Sequence, residues 1–152
     1  MLFLIDSNVL ISSYDKSEQQ HKHSYTLLQQ AMTGQVKAAL PHQNLLEYLA
    51  VVTDSRRVEH PLSLREAFVN ISIYTASLSV IFPKVTTVGT LQQLSKVKSA
   101  PRMKIFDLYL AATALDNGIT QICTWNIADF VGIPEIEPVS PEQLLGRVSD
   151  GG

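Results

Sequence analysis

The side chains here best suited to chemistry are carboxylates: Asp6, Glu47, Asp107 and Asp129, with Asn126 close to the last. Asp6 closes the apolar run Leu2-Phe3-Leu4-Ile5, which reads as a buried strand ending in an acid. In an open α/β sheet, ligands gather beyond the carboxyl ends of the strands, so an acid there is a metal ligand, a phosphoacceptor or a helix cap. Asp107 falls in the first turn of a helix leading into the apolar run Ile119–Thr124, and Asn126 and Asp129 follow that run. Glu47 sits on the second turn of a helix that starts after a second strand. Its neighbours Leu46, Tyr48, Leu49 and Ala50 suggest a half-buried setting. Carboxylates gathered within a few ångströms repel one another, and one must protonate unless a divalent cation intervenes. Oxygen ligands with no histidine or thiolate nearby in sequence favour Mg²⁺ or Mn²⁺. Such an ion activates water and stabilises charge in phosphodiester hydrolysis.

Each acid has a simpler reading. Asp6 suits a helix cap, Asp107 the positive end of a helix dipole, Glu47 a solvated helix face and Asp129 a turn. Their joint placement is what points to a site.

The elements that must position them alternate. After the first strand, polar Ser12–Lys22 reads as a loop. Tyr25, Leu28, Ala31 and Met32 then mark a helix that Gly34 stops. Val36–Leu40 reads as a strand ended by Pro41, and Leu45–Val52 as the helix bearing Glu47. Ser63-Leu64-Arg65-Glu66 matches a capping box that opens a helix to about Leu78. A short strand Val80–Phe82, a helix over Thr87–Ser95 and a polar loop to Lys104 follow. Ile105, Leu108, Tyr109, Ala112 and Leu115 mark an amphipathic helix ended at Asn117-Gly118, and Glu135–Val139 is a weaker last strand. Strands alternating with helices imply a three-layer α/β/α fold around a central, mainly parallel sheet.

A chain of 152 residues makes one domain, here 1–148 with a loose tail at 149–152. The hydrophobic share of 45% and net charge of −2 exclude disorder and any molecule-wide basic field. A lone Cys123 offers no disulfide. With neither a leader pattern nor a membrane-length apolar run, a cytoplasmic protein is expected. Cations are local: Lys96, Lys98, Arg102 and Lys104 crowd the loop before Asp107. Lys98, Arg102 and Lys104 are candidates to hold the phosphates of an RNA strand, and a solvated loop is the competing reading. Arg56 and Arg57 add to the same rim. Trp125 either stacks on a base or covers the core.

Four segments carry a resemblance: Asp6-Ser7-Asn8-Val9-Leu10, a helical Glu47, the run Asp107-Leu108-Tyr109-Leu110-Ala111-Ala112-Thr113-Ala114, and Thr124-Trp125-Asn126-Ile127-Ala128-Asp129-Phe130. In order and spacing, from Met1 to about Leu145, the chain resembles the PIN domain family, in particular the VapC-type toxin ribonucleases of bacterial toxin–antitoxin pairs. The resemblance implies an Mg²⁺-dependent endoribonuclease with Asp6, Glu47 and Asp107 as its acidic core. Asp6 and Asp107 would ligate the ion, and Glu47 and Asp129 would hold water or assist proton transfer. Ser7 stands where the family often has threonine, Asn8 would orient the first acid, and Thr124 supports the last motif. Asn126 stands where many members carry aspartate, so Asp129 would supply that charge. The resemblance also implies a homodimer and a small antitoxin; Tyr25, Leu28 and Met32 or the Leu46–Val52 face are candidate surfaces, with core packing the simpler account of both. Two rivals stand beside it. A haloacid-dehalogenase-type phosphoacceptor needs a second aspartate where Asn8 stands. A PIN-fold binding module without catalysis is what Asn126 leaves open.

Overall fold

The computed structural model describes residues 1–97 and 103–151, so the proposed phosphate-binding Lys98 and Arg102 lie outside the described residues. The elements are β1 (Leu2–Ile5), α1 (Ser7–Tyr14), α2 (His21–Met32), β2 (Lys37–Pro41), α3 (His42–Val52), α4 (Leu64–Ser77), β3 (Ser79–Ile81), α5 (Thr87–Leu94), α6 (Ile105–Asp116), β4 (Gln121–Cys123), β5 (Glu137–Val139) and α7 (Pro141–Asp150). The sheet order is β3-β2-β1-β4-β5, and every pairing is parallel. β1 is therefore central, with Leu4 opposite Ala39 of β2 on one side and Ile122 of β4 on the other. The chain winds outward from β1 to β3 and then returns to β4. That reversal makes the carboxyl ends of β1 and β4 the crevice in which an open sheet of this kind holds ligands.

Alternation along the strands divides the core into two layers. Phe3, Ile5, Ala38, Leu40, Cys123 and Val139 pack on one face with residues of α1, α2, α3, α4 and α7. Leu4, Ala39 and Ile122 pack on the other, against α5 and α6. Both sheet faces are buried, as parallel strands require, and the three-layer reading of the sequence holds.

The capping box opening α4 is present in both directions: Glu66 N–H donates to Ser63 Oγ at 3.1 Å, and Ser63 N–H to Glu66 Oε2 at 2.9 Å. A second box that the sequence reading passed over, Ser140 with Gln143, opens α7, with Pro141 in its first turn. Gly34 and Gly118 take φ of 80° and 72° where α2 and α6 end, a conformation that a Cβ disfavours. Strand limits shift by one or two residues from expectation, and Ile119–Thr124 narrows to Gln121–Cys123. Two helices went unread. α1 occupies part of the stretch expected to be loop, because buried Ser12 and Ser13 satisfy their hydroxyls on the carbonyls of Val9 and Leu10. α7 continues to Asp150, past the boundary set at 148. No described helix is long and apolar enough to cross a membrane.

Candidate active site

β1 delivers Asp6 to the sheet's carboxyl edge, where it caps α1 with Oδ1 accepting from Ser7 N–H at 2.7 Å. The other oxygen, Oδ2, accepts from Thr124 Oγ1 at 2.9 Å and from Asn8 Nδ2 at 3.3 Å. Thr124 follows β4 and is fully buried; its Oγ1 also accepts from Asn8 Nδ2 at 3.1 Å and from Asn126 N–H at 3.0 Å. Asn8 Oδ1 in turn accepts from Trp125 N–H at 3.2 Å. Asp6 is thus both a cap and the centre of a polar network joining the ends of β1 and β4. These bonds lock its carboxylate in one orientation, which is what a first ligand needs.

The other acids come from three directions. α3 carries Glu47, whose Oε2 accepts from Ser7 Oγ at 2.6 Å. Its side chain is exposed rather than half-buried, because Leu45 and Tyr48 turn inward on either side of it. α6 presents Asp107 in its first turn. The 3-10 turn Ile127–Asp129 presents Asp129, whose Oδ2 stands 4.0 Å from Lys104 Nζ. Asp6, Glu47, Asp107 and Asp129 line one cleft of about 120 Å³, together with Ser7, Asn8, Asn126 and Lys104. Every sequence-predicted site residue that the structure describes faces this cleft except Thr124, which lies beneath it holding Asp6.

The charges in the cleft conflict. Burial lifts the Asp6 carboxyl to about 6, against the opposing pull of its Thr124 and Ser7 hydrogen bonds, and the neighbouring charges of Asp107 and Glu47 push the same way. The Asp107 carboxyl is raised by burial and by Asp129, with Lys104 opposing. Asp107 Oδ2 is buried and has no hydrogen-bond partner among the described residues. As the side chains stand, no group of three or more His, Cys, Asp or Glu placed to hold a metal ion occurs among the described residues. The donor chemistry nevertheless suits a hard divalent cation. It is all oxygen, it carries excess negative charge, and one buried carboxylate oxygen lacks the partner that such groups normally find.

Asn44 was missed. It stands three residues before Glu47 on α3, is fully buried, and donates from Nδ2 to the carbonyl of Ile5 at 3.0 Å. That bond ties α3 to the residue before Asp6 and so sets where Glu47 enters the cleft. Three-residue spacing puts Asn44 near the face of α3 that carries Glu47, but a bond to a backbone carbonyl leaves no side-chain pattern to read in the sequence.

The fold is the PIN fold, shared with solved VapC and VapBC structures. Among solved structures, the chain is similar to VapBC2 from Rickettsia felis bound to a DNA fragment from its promoter, with 17% identity over 92% of this chain and 98% of that one and a TM-score of 0.68. It is similar to a toxin–antitoxin complex from Klebsiella pneumoniae, with 19% identity over 91% and 97% of the two chains and a TM-score of 0.60. It is also similar to Mycobacterium tuberculosis VapC20, described as a toxin cleaving the sarcin–ricin loop, with 13% identity over 91% and 100% and a TM-score of 0.62. No family model matches the chain, and no curated protein does. At such identities the likeness is one of fold.

Proposed function

We propose that this protein is an Mg²⁺-dependent endoribonuclease and the toxin of a toxin–antitoxin pair. The observation that carries the reading is the convergence of Asp6, Glu47, Asp107 and Asp129 on the cleft at the sheet's switch point, with Lys104 the one cation lining it among the described residues. Asp6 and Asp107 would hold Mg²⁺: the first is locked by Thr124, Asn8 and Ser7, and the second has a free buried oxygen. Bound there, the ion would supply charge stabilisation at a phosphoryl oxygen and lower the pKa of water. Ser7 Oγ occupies Glu47 Oε2, leaving Oε1 to accept a proton as water attacks phosphorus and the bridging P–O bond breaks. Asp129, with Oδ2 4.0 Å from Lys104 Nζ, would hold water or assist proton transfer. Lys104, with Lys98 and Arg102, would hold the flanking phosphates.

RNA as substrate and an antitoxin as partner are supported by analogy with the structures named above. An apolar stripe on α4 offers a surface for an antitoxin or a second protomer, with Leu64, Phe68, Val69 and Ile73 all about half exposed. Of the surfaces expected from the sequence, Leu28 and Val52 are buried in the core, whereas Tyr25 and Leu46 are exposed. A second reading, a PIN-fold binding module without catalysis, is favoured by Asn126 in place of an acid and by the absence of a preformed ligand triad among the described residues. RNA cleavage in Mg²⁺, with and without EDTA, separates the two. The nuclease reading expects cleavage that EDTA stops and that Asp6→Ala and Asp107→Ala each abolish with folding intact. EDTA-insensitive or undiminished cleavage overturns the metal site, and no cleavage by the parent favours the binding module.

A further inference from the structure

A second cavity, of about 290 Å³, opens beside the acidic cleft and shares two walls with it, Asn8 and Asn126. Its other lining includes Trp125, Arg57, Gln20 and Glu18. The indole is held in place: Trp125 Nε1–H donates to Ser24 Oγ at 2.8 Å, and that buried hydroxyl pairs with Ser12 Oγ at 2.6 Å. Trp125 is half-buried, so one part of the ring packs on the core while another meets the cavity. Its backbone N–H is bonded to Asn8, the residue that also bonds Asp6. The indole and the first acid are therefore parts of one rigid network. Arg57 is exposed, and its guanidinium makes no ion pair or side-chain hydrogen bond among the described residues, although its charge helps to lower the Asp54 carboxyl.

Resting on the nuclease reading above, we infer that this cavity is a nucleobase subsite, in which one unstacked base of the RNA lies against Trp125 while its phosphate reaches the acidic cleft. Three observations select a base over other occupants. A preorganised aromatic plane meets any base at little ordering cost. A free guanidinium at the rim suits the neighbouring phosphate or the base's other face. Gln20, Asn126 and Glu18 offer the mix of donors and acceptors that a base edge presents. At about 290 Å³ the cavity stands at the small end of ligand pockets, which start at roughly 300 Å³, as fits a single base rather than a longer ligand.

Trp125 is the sole tryptophan of the chain, so the protein's own fluorescence reports on this cavity. Nucleoside monophosphates titrated into the Mg²⁺-supplemented protein should quench it saturably, whereas inorganic phosphate and ribose 5-phosphate should not. In cleavage of a short single-stranded RNA, Trp125→Ala should raise KM roughly 5- to 150-fold with kcat little changed, the equivalent of one lost base stack. Trp125→Phe should recover most of that loss. Arg57→Gln, at an exposed side chain outside the core, should raise KM in the same direction. Absence of quenching, or quenching equal to that by base-free phosphates, overturns the subsite, as does an unchanged KM in Trp125→Ala. If the parent cleaves no RNA, the nuclease reading fails on its own, and the nucleotide titration still decides the subsite.

Discussion

Asp6→Asn should make the metal-free protein more stable above neutrality and less stable in acid. The folded state lifts the Asp6 carboxyl from 3.8 to about 6, a displacement worth about 3 kcal/mol. The folded protein keeps this proton up to about pH 6, whereas the unfolded chain releases it near pH 3.8. The stability that the group contributes is therefore present in acid, is lost as pH rises across that interval, and does not return above it. An amide is neutral at every pH and escapes the loss. It keeps the acceptor for Ser7 N–H, but it presents an N–H₂ where Thr124 and Asn8 now donate, at a cost of about 1–2 kcal/mol. The variant should then gain about 1–2 kcal/mol at pH 8 and lose about as much at pH 4, by urea unfolding in EDTA. Comparing variant with parent cancels the carboxylates whose pKa the fold lowers, Asp54, Asp116 and Glu137, which act with the opposite sign. Equal destabilisation at both pH values would refute the reasoning and reduce Asp6 to a helix cap. Added Mg²⁺ should raise the parent's stability at pH 8 and leave the variant's unchanged.

Thr124→Val removes the donor to Asp6 and the acceptor of Asn8 and Asn126 N–H. Urea unfolding should show a loss of about 2 kcal/mol, and the pH at which stability declines should move upward. Asp107→Asn should lower Mg²⁺ affinity by calorimetry without lowering the melting temperature at pH 8 in EDTA, because it relieves repulsion from Asp129 and Glu47. Neutralising Lys98, Arg102 and Lys104 together should weaken RNA binding and reduce the slope of log K against log salt by about 2. An unchanged slope would mean that these cations do not meet phosphate.

The fold was legible where chemistry and periodicity agreed. β1 ends in Asp6 because an apolar run meets an acid, and α6 carries Asp107 because apolar spacing starts beside it. α1 was hidden by Ser12 and Ser13, polar residues that this helix buries by turning their hydroxyls back on its own carbonyls. α7 was hidden because its cap, Ser140 with Gln143, precedes a helix with few buried residues. At the site, sequence placed the carboxylates along the chain, and the parallel order β2-β1-β4 brought them together. Two features escaped it. Asn44 acts through a bond to a backbone carbonyl, which no side-chain pattern displays. The exposure of Glu47 depends on how α3 rotates to bury Leu45 and Tyr48, and apolar neighbours alone do not fix that rotation.

The most direct test of the proposed metal site is anomalous diffraction from a crystal soaked in Mn²⁺. If the proposal holds, a peak stands between the carboxylates of Asp6 and Asp107, with Glu47 or Asp129 drawn toward it. A cleft without a peak, at Mn²⁺ concentrations that saturate other divalent sites, would contradict it.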